Sequence, residues 1–429
     1  MRITFGTGVA LVSGAVVRAG ASWWSEWGEK LIARTELAPP TDRIELLRET
    51  RFLIDKTNPT ALWASLSVHH SPLLIALPES LVSNPVLSSA FFIALDVATA
   101  AALAGIASLL ASRGMRAPSP AAVAAMYMLH PYAIACSIAK SLSALRALTT
   151  VSAVYCALRG SSGGLAILHS LGMLLFLIPA LYTPLLVLLG ADSYAAYGSW
   201  RQQFGTRRAK AWWQFTHTTL RRMIGLGAGG ILLSAYIARD PSWEFICSVY
   251  GSRLWIDDLS PALGLTWYFF VEIFGHFRPF FTVVVNVHLW AYVVPVAIVF
   301  RNDPLFGLAV MSGLVALFQN YPSAGDTAVF LSLCSLFASR LADNLRHPMV
   351  TSLLFAYAAL LLPVFHYLWL YAGSANANFY FAAGLVHSFA IGAMILDAVW
   401  AWSVEQWEQK RSKNGPTEPE SVRRIVRQT

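Results

Sequence analysis

The sequence predicts an all-α fold, a polytopic bundle of about 12 membrane-spanning helices, and three observations carry that expectation. Its 429 residues are 56% hydrophobic and 13% charged, with a mean hydropathy of +0.54, too apolar for a soluble globular chain. Runs such as 348–371 and 380–402 reach the roughly 20 residues that cross about 30 Å of hydrocarbon. They lack the strict alternation of barrel strands, so their backbone groups must satisfy one another as helix. The formal charge of +8 is spread over short basic stretches between apolar runs, a pattern of membrane topology rather than of nucleic-acid binding.

Taken in order, helices are expected near 3–17, 86–111, 120–138, 141–158, 164–179, 182–197, 223–239, 280–300, 304–319, 326–341, 348–371 and 380–402. The first begins behind Arg2 like a signal peptide. No small-x-small site precedes polar sequence, Arg18 follows Val16 and Val17 directly, and Trp23, Trp24 and Trp27 suit an interface, so it reads as a retained anchor. Residues 20–85 form the largest loop on the non-cytosolic side, and "TDRIELLRETRFLIDK" within it is a candidate amphipathic helix. Pro179 and Pro184 in "IPALYTP" split 164–197 into a hairpin of two short spans, because a single span would put the next basic loop on the wrong side.

That loop, 201–222, carries Arg201, Arg207, Arg208, Lys210, Arg221 and Arg222 without an acid, and Trp212 and Trp213 suit its interface. Arg113, Arg116, Arg159, Arg301, Arg340 and Arg346 fit the same, cytosolic, side. Residues 263–281 are then an interfacial or re-entrant segment on the far side, 1–402 one membrane domain, and 403–429 a polar, disordered cytosolic tail. Both termini are expected in the cytosol. There is no internal repeat.

Cys136, Cys156 and Cys334 fall in expected spans as small packing residues, and Cys247 lies in a far-side loop without His or acid partners in any nucleophile pattern. No disulfide framework follows. Ionisable groups at membrane depth are costly and either paired or functional; here they are Asp96, Lys140, Glu272, His276, Arg278, Asp326 and Asp397. Glu272 and His276, four apart in "TWYFFVEIFGHFRPFF", are expected on one helix face, as an internal ion pair or as ligand contacts. Lys140 reads as a lysine snorkelling from a helix end.

Several blocks carry a family likeness. "WEFICSVYGSRLWIDDLSPALGLTWYFFVEIFGHFRPFF", "NYPSAGDTAVFLSL" and "LPVFHYLWLYAGSANANFYF", with "SPLLIALPESL" and "LHPYAIACSIAKS" before them, resemble the PIG-U family of GPI transamidase membrane subunits, most strongly over 243–385. Departures are Ser323-Ala324, where the family pattern reads Thr-Val, Pro279 within the aromatic stretch, and the unrelated sequence after 403.

The resemblance implies a noncatalytic subunit of the endoplasmic-reticulum complex that removes a C-terminal signal and joins the new carboxyl end to a GPI lipid. It implies catalysis on PIG-K, further partners PIG-T, PIG-S and the GPI-anchor attachment subunit, and no cofactor or metal. It also implies likeness to GT-C type glycosyltransferases that use dolichol-linked sugars, which supplies an alternative. Such an enzyme needs an acid in its first lumenal loop, often paired, as metal ligand or general base. Glu26, Glu29, Glu36, Asp42, Glu45, Glu49 and Asp55 are instead scattered, and Asp257-Asp258 lies far downstream, with Asp258 read as a turn or cap. A transporter or scramblase is a third reading.

In "WLYAGSANANFYF" the residues Gly373, Ser374, Asn376 and Asn378 read, on their own, as helix punctuation. Given the resemblance, their neutral amides suit a headgroup of phosphates, amines and hydroxyls. The expected GPI-binding set is therefore Gly373, Ser374, Asn376 and Asn378, with Glu272, His276 and Arg278 at the phosphate. Phe274 and Phe277, among the aromatics Trp267, Tyr268, Phe269, Phe270, Phe280 and Phe281, would follow the acyl chains. All lie about a lumen-facing cleft bounded by 263–281 and 371–380.

Overall fold

The computed structural model describes residues 4–23, 30–56, 59–65, 68–197, 206–255 and 258–413. Trp24, Glu26, Trp27, Glu29, Arg201, Asp257 and the chain from 414 onward lie outside them, as do the side chains of Asp55 and Arg207.

Among the described residues every regular element is a helix. Numbering those of seven residues or more gives α1 Phe5–Trp23, α2 Glu45–Lys56, α3 Pro85–Ser112, α4 Pro120–Met128, α5 Pro131–Ile138, α6 Ser143–Leu158, α7 Ser162–Phe176, α8 Thr183–Tyr197 and α9 Thr206–Ala238. They continue as α10 Thr266–Glu272, α11 Arg278–Ala291, α12 Val293–Val299, α13 Pro304–Phe318, α14 Ala324–Ser335, α15 Pro348–Leu370 and α16 Ala377–Lys413. All expected segments appear as helices, and the chain is a multi-pass membrane protein: among the described residues six helices are long and apolar enough to cross a bilayer, seven if α4 and α5 are one span bent by 51°.

Local chemistry explains the boundaries. Asn84, Ser119, His130 and Asp303 each precede a proline and accept hydrogen bonds from the first turn of α3, α4, α5 and α13. A side-chain acceptor meets the orphan N–H groups, and proline at the first position forfeits nothing. Pro131 is also why the expected 120–138 helix is broken in two. The break marked by Pro179 forms, with α7 and α8 separated by a 3-10 turn, Ile178–Tyr182.

Two expectations are corrected. The basic stretch read as a loop over 201–222 is helical from Thr206, since it holds no proline and only Gly205 before the helix begins. The polar tail read from 403 is helical as far as Lys413, an extension of α16 by good helix formers.

The described residues between 30 and 85 pack as a lobe on one end of the bundle. Ile44 and Leu47 are buried with Phe92, Leu175 and Phe176, and Trp63 meets Phe245 edge to face. At the other end Arg113, Asp192, Arg208, Arg301 and Asp303 line one cavity, and Arg116, Arg340 and Glu405 an adjoining one.

Candidate functional site

The exposed turn between α15 and α16 is built as helix punctuation. Gly373 has φ +62, a left-handed value that closes α15 where a Cβ would be strained. Asn376 Oδ1 accepts from the N–H groups of Asn378 and Phe379, 3.1 and 3.4 Å, and so caps α16. The turn is also tied to α10, for the Tyr268 hydroxyl donates to Asn378 Oδ1. Desolvation, then the Glu272 carboxylate, raises the Tyr268 pKa above its ordinary value.

Beneath the turn lies an aromatic slab. Tyr268 stacks on Phe381 at 4.5 Å, and Trp267 stacks on Trp369 at 6.4 Å and packs against Tyr380 and Phe381. The Trp267 indole N–H is buried without a hydrogen-bond partner. Offset and edge contacts of this kind add to the burial of each ring. The segments 263–281 and 371–380, expected to flank a cleft, therefore touch, and present an edge carrying Gly373, Ser374, Asn376 and Asn378, all exposed.

The remaining candidates are arranged differently. α10 ends at Glu272 because Ile273 is extended, ψ 145, so Glu272 and His276 do not share a helix face as expected. Gly275 and Pro279 account for the break: Pro279 cannot donate within a continuous helix but fits the first turn of α11. His276 lies against Phe274 and Phe277, with ring centroids 6.1 and 4.0 Å apart, and Arg278 opens α11. Phe274 and Phe277 are exposed, at 73% and 48%, as lipid-facing rings are.

Sequence reasoning named Glu36 only as a scattered acid and missed Arg34. They form an ion pair in the first-loop lobe, whose Leu31 and Leu37 pack with Trp267 and Tyr380. More than 200 residues of sequence separate the two regions, and no local signal announces the contact. Of the first-loop acids, Asp42 is fully buried, its Oδ2 2.7 Å from Arg146. Asp258 Oδ1 accepts from Ser260 N at 2.8 Å, a turn residue as read. Among the described residues no group of three His, Cys, Asp or Glu side chains is placed to hold a metal.

Comparison with known families matches residues 12–387, a range that contains α10, α15 and the amide turn, to PIG-U, described as GPI transamidase subunit PIG-U. The chain belongs to the PIG-U family. Within it, the chain is 33% identical over 278 residues to the GPI-anchor transamidase component PIGU of Homo sapiens, covering 65% of this chain and 61% of the human protein. It is 29% identical over 396 residues to the GPI transamidase component GAB1 of Saccharomyces cerevisiae, 92% and 93% of the two chains. The Schizosaccharomyces pombe GAB1 homolog is 36% identical over 157 residues, 36% of this chain and 38% of the relative. The aligned stretch thus spans 61% of the human relative's length but nearly all of the budding-yeast one. Each of these PIG-U relatives bears a transamidase name, and the sugar-transferase alternative gains no support from them.

Proposed function

We propose that this chain is a noncatalytic membrane subunit of a GPI transamidase in the endoplasmic reticulum, and that it presents the GPI lipid at the α15–α16 turn. The observation that carries the reading is the joining of Asn378 to Tyr268 over the aromatic slab. Because both Asn376 Oδ1 and Asn378 Oδ1 already accept bonds within the protein, each side-chain NH2 group is left to donate outward. Two uncharged donors on an exposed edge suit phosphate and sugar oxygens, and add no charge that would repel the lipid phosphate.

His276, exposed, and Arg278, half-buried at the start of α11, would meet a phosphate, with Glu272 beside Tyr268 as an acceptor for an ethanolamine amine. Phe274 and Phe277 would lie along acyl chains. In this reading the edge faces the lumen, both termini are cytosolic, and 1–402 acts as one membrane domain. The chain holds and orients the lipid while bond exchange takes place on a PIG-K-like subunit, with PIG-T, PIG-S and the GPI-anchor attachment subunit as partners.

The test is to purify the tagged protein in mild detergent and identify its companions by mass spectrometry. Recovery with transamidase subunits and GPI supports the reading. Recovery alone, carrying a dolichol-phosphate sugar, overturns it.

A further inference from the structure

A third cavity, of about 540 Å³, lies between α1 and α3 at the end of α5, lined by Ala19, Val86, Ala90, Ile93, Ile138 and Lys140. Its volume is that of a small-molecule site. Its walls are apolar except for Ser22, Ser89 and Lys140. Val86 and Trp23, at its rim, are 74% and 90% exposed, so the cavity opens to the outside where α1 ends and α3 begins.

Lys140 is held there at a cost. Its N–H donates to Ser137 O, and Ser141 N–H reaches back to Cys136 O, 3.1 and 3.0 Å. This is the helix ending whose left-handed residue is usually glycine. Lys140 nevertheless adopts φ +53. A strained residue where glycine would be relaxed points to a use for its side chain. Burial lowers its pKa, opposed by the Glu45 carboxylate, so the ammonium is short of water and gains from an anion. The same helix end separates this cavity from the candidate GPI edge: Ala139 packs with Trp267 and Tyr380, while Ile138 and Lys140 line the cavity.

We infer that this cavity holds a glycerophospholipid with an anionic headgroup, its phosphate on the Lys140 ammonium and an acyl chain along the Ala19, Val86, Ala90 and Ile93 wall. A cation at one edge of an open apolar wall, with the Glu45 carboxylate as its charged neighbour, matches one charged head on an apolar chain, as snorkelling lysines do at interfaces. The inference does not rest on the GPI reading, because it concerns a different face of α5.

The test uses the whole complex in nanodiscs of mixed phosphatidylinositol and phosphatidylcholine, with retained lipid measured by native mass spectrometry. Lys140→Gly suits the backbone and removes the amine, and should lower retained phosphatidylinositol about tenfold, the size of one charge-assisted contact. Lys140→Arg should keep it, and Ala90→Trp, which fills the wall and leaves the amine, should lower it. GPI recovery should be unchanged in all three. Equal retention in Lys140→Gly, or capture of an apolar peptide in place of lipid, would each overturn the assignment.

Discussion

The Tyr268 hydroxyl donates to Asn378 Oδ1, while the two flanking rings, Tyr268 and Phe381, stack at 4.5 Å. A short helix and a turn about 110 residues apart are thereby one unit, and the orientation of the Asn378 amide follows from the bond. Tyr268→Phe keeps the stack and removes the bond. The complex should assemble normally, and GPI recovered per subunit should fall a few-fold because the Asn378 amide is no longer held. Quantitative lipid mass spectrometry against a subunit standard reads both.

Asn376 separates capping from binding. Asn376→Ser preserves a side-chain acceptor for the first turn of α16, whereas Asn376→Leu loses it at about 1 kcal/mol. Both remove the outward NH2. Both should therefore lower GPI retention equally, while only the leucine variant lowers the thermal midpoint of the purified complex. Full GPI retention in the serine variant would show that the residue acts as a cap alone.

How much of this could be read from the sequence divides by range. The helix starts were legible because Asn-Pro, Ser-Pro and Asp-Pro pairs act locally, and the α15–α16 turn because Gly373 and Asn376 carry their roles within four residues. Glu272 and His276 went wrong because spacing alone cannot reveal the extended Ile273. Asp96, Asp326 and Asp397 were recognised as costly charges, but their partners were not. Arg18, which the sequence offers only as evidence against a signal cleavage site, is fully buried on Asp96 at 2.7 Å. Arg146, which drew no notice, bridges Asp42 and Asp326, and Asp397 accepts from the N–H groups of Arg346 and His347. Such pairings span tens to hundreds of residues, and no periodicity encodes them.

The Arg18–Asp96 pair makes a stability prediction. Asp96 Oδ1 also accepts from the Tyr127 hydroxyl at 2.9 Å, and Arg18 donates to Met128 O, so the pair fastens α1 to α3 and α4. Asp96→Ala strands a buried guanidinium, at about 3–5 kcal/mol, and should sharply reduce the amount of folded protein. Arg18→Met with Asp96→Leu should restore most of it, as measured by fluorescence-detected size exclusion of the tagged chain.

His70 sets a pH dependence in the first-loop lobe. It is buried, and desolvation, then the Arg253 charge, pushes its pKa to about 3 from an ordinary 6.5. The unfolded chain takes up a proton below pH 6.5 that the folded chain refuses until about 3. The histidine's contribution is therefore intact above 6.5 and is lost progressively as pH falls through that window. Between neutrality and about pH 5 the loss is roughly 2 kcal/mol. His70→Asn should flatten this part of the pH dependence of the thermal midpoint.

The central claim is that the asparagine turn holds GPI. Its most direct measurement is the ratio of GPI to transamidase subunits in complexes purified from cells carrying Asn376→Leu with Asn378→Leu. The account expects every partner subunit at its wild-type proportion and GPI reduced about tenfold or more, from two lost headgroup contacts. Wild-type GPI in a fully assembled mutant complex would contradict it, and the turn would be helix punctuation only.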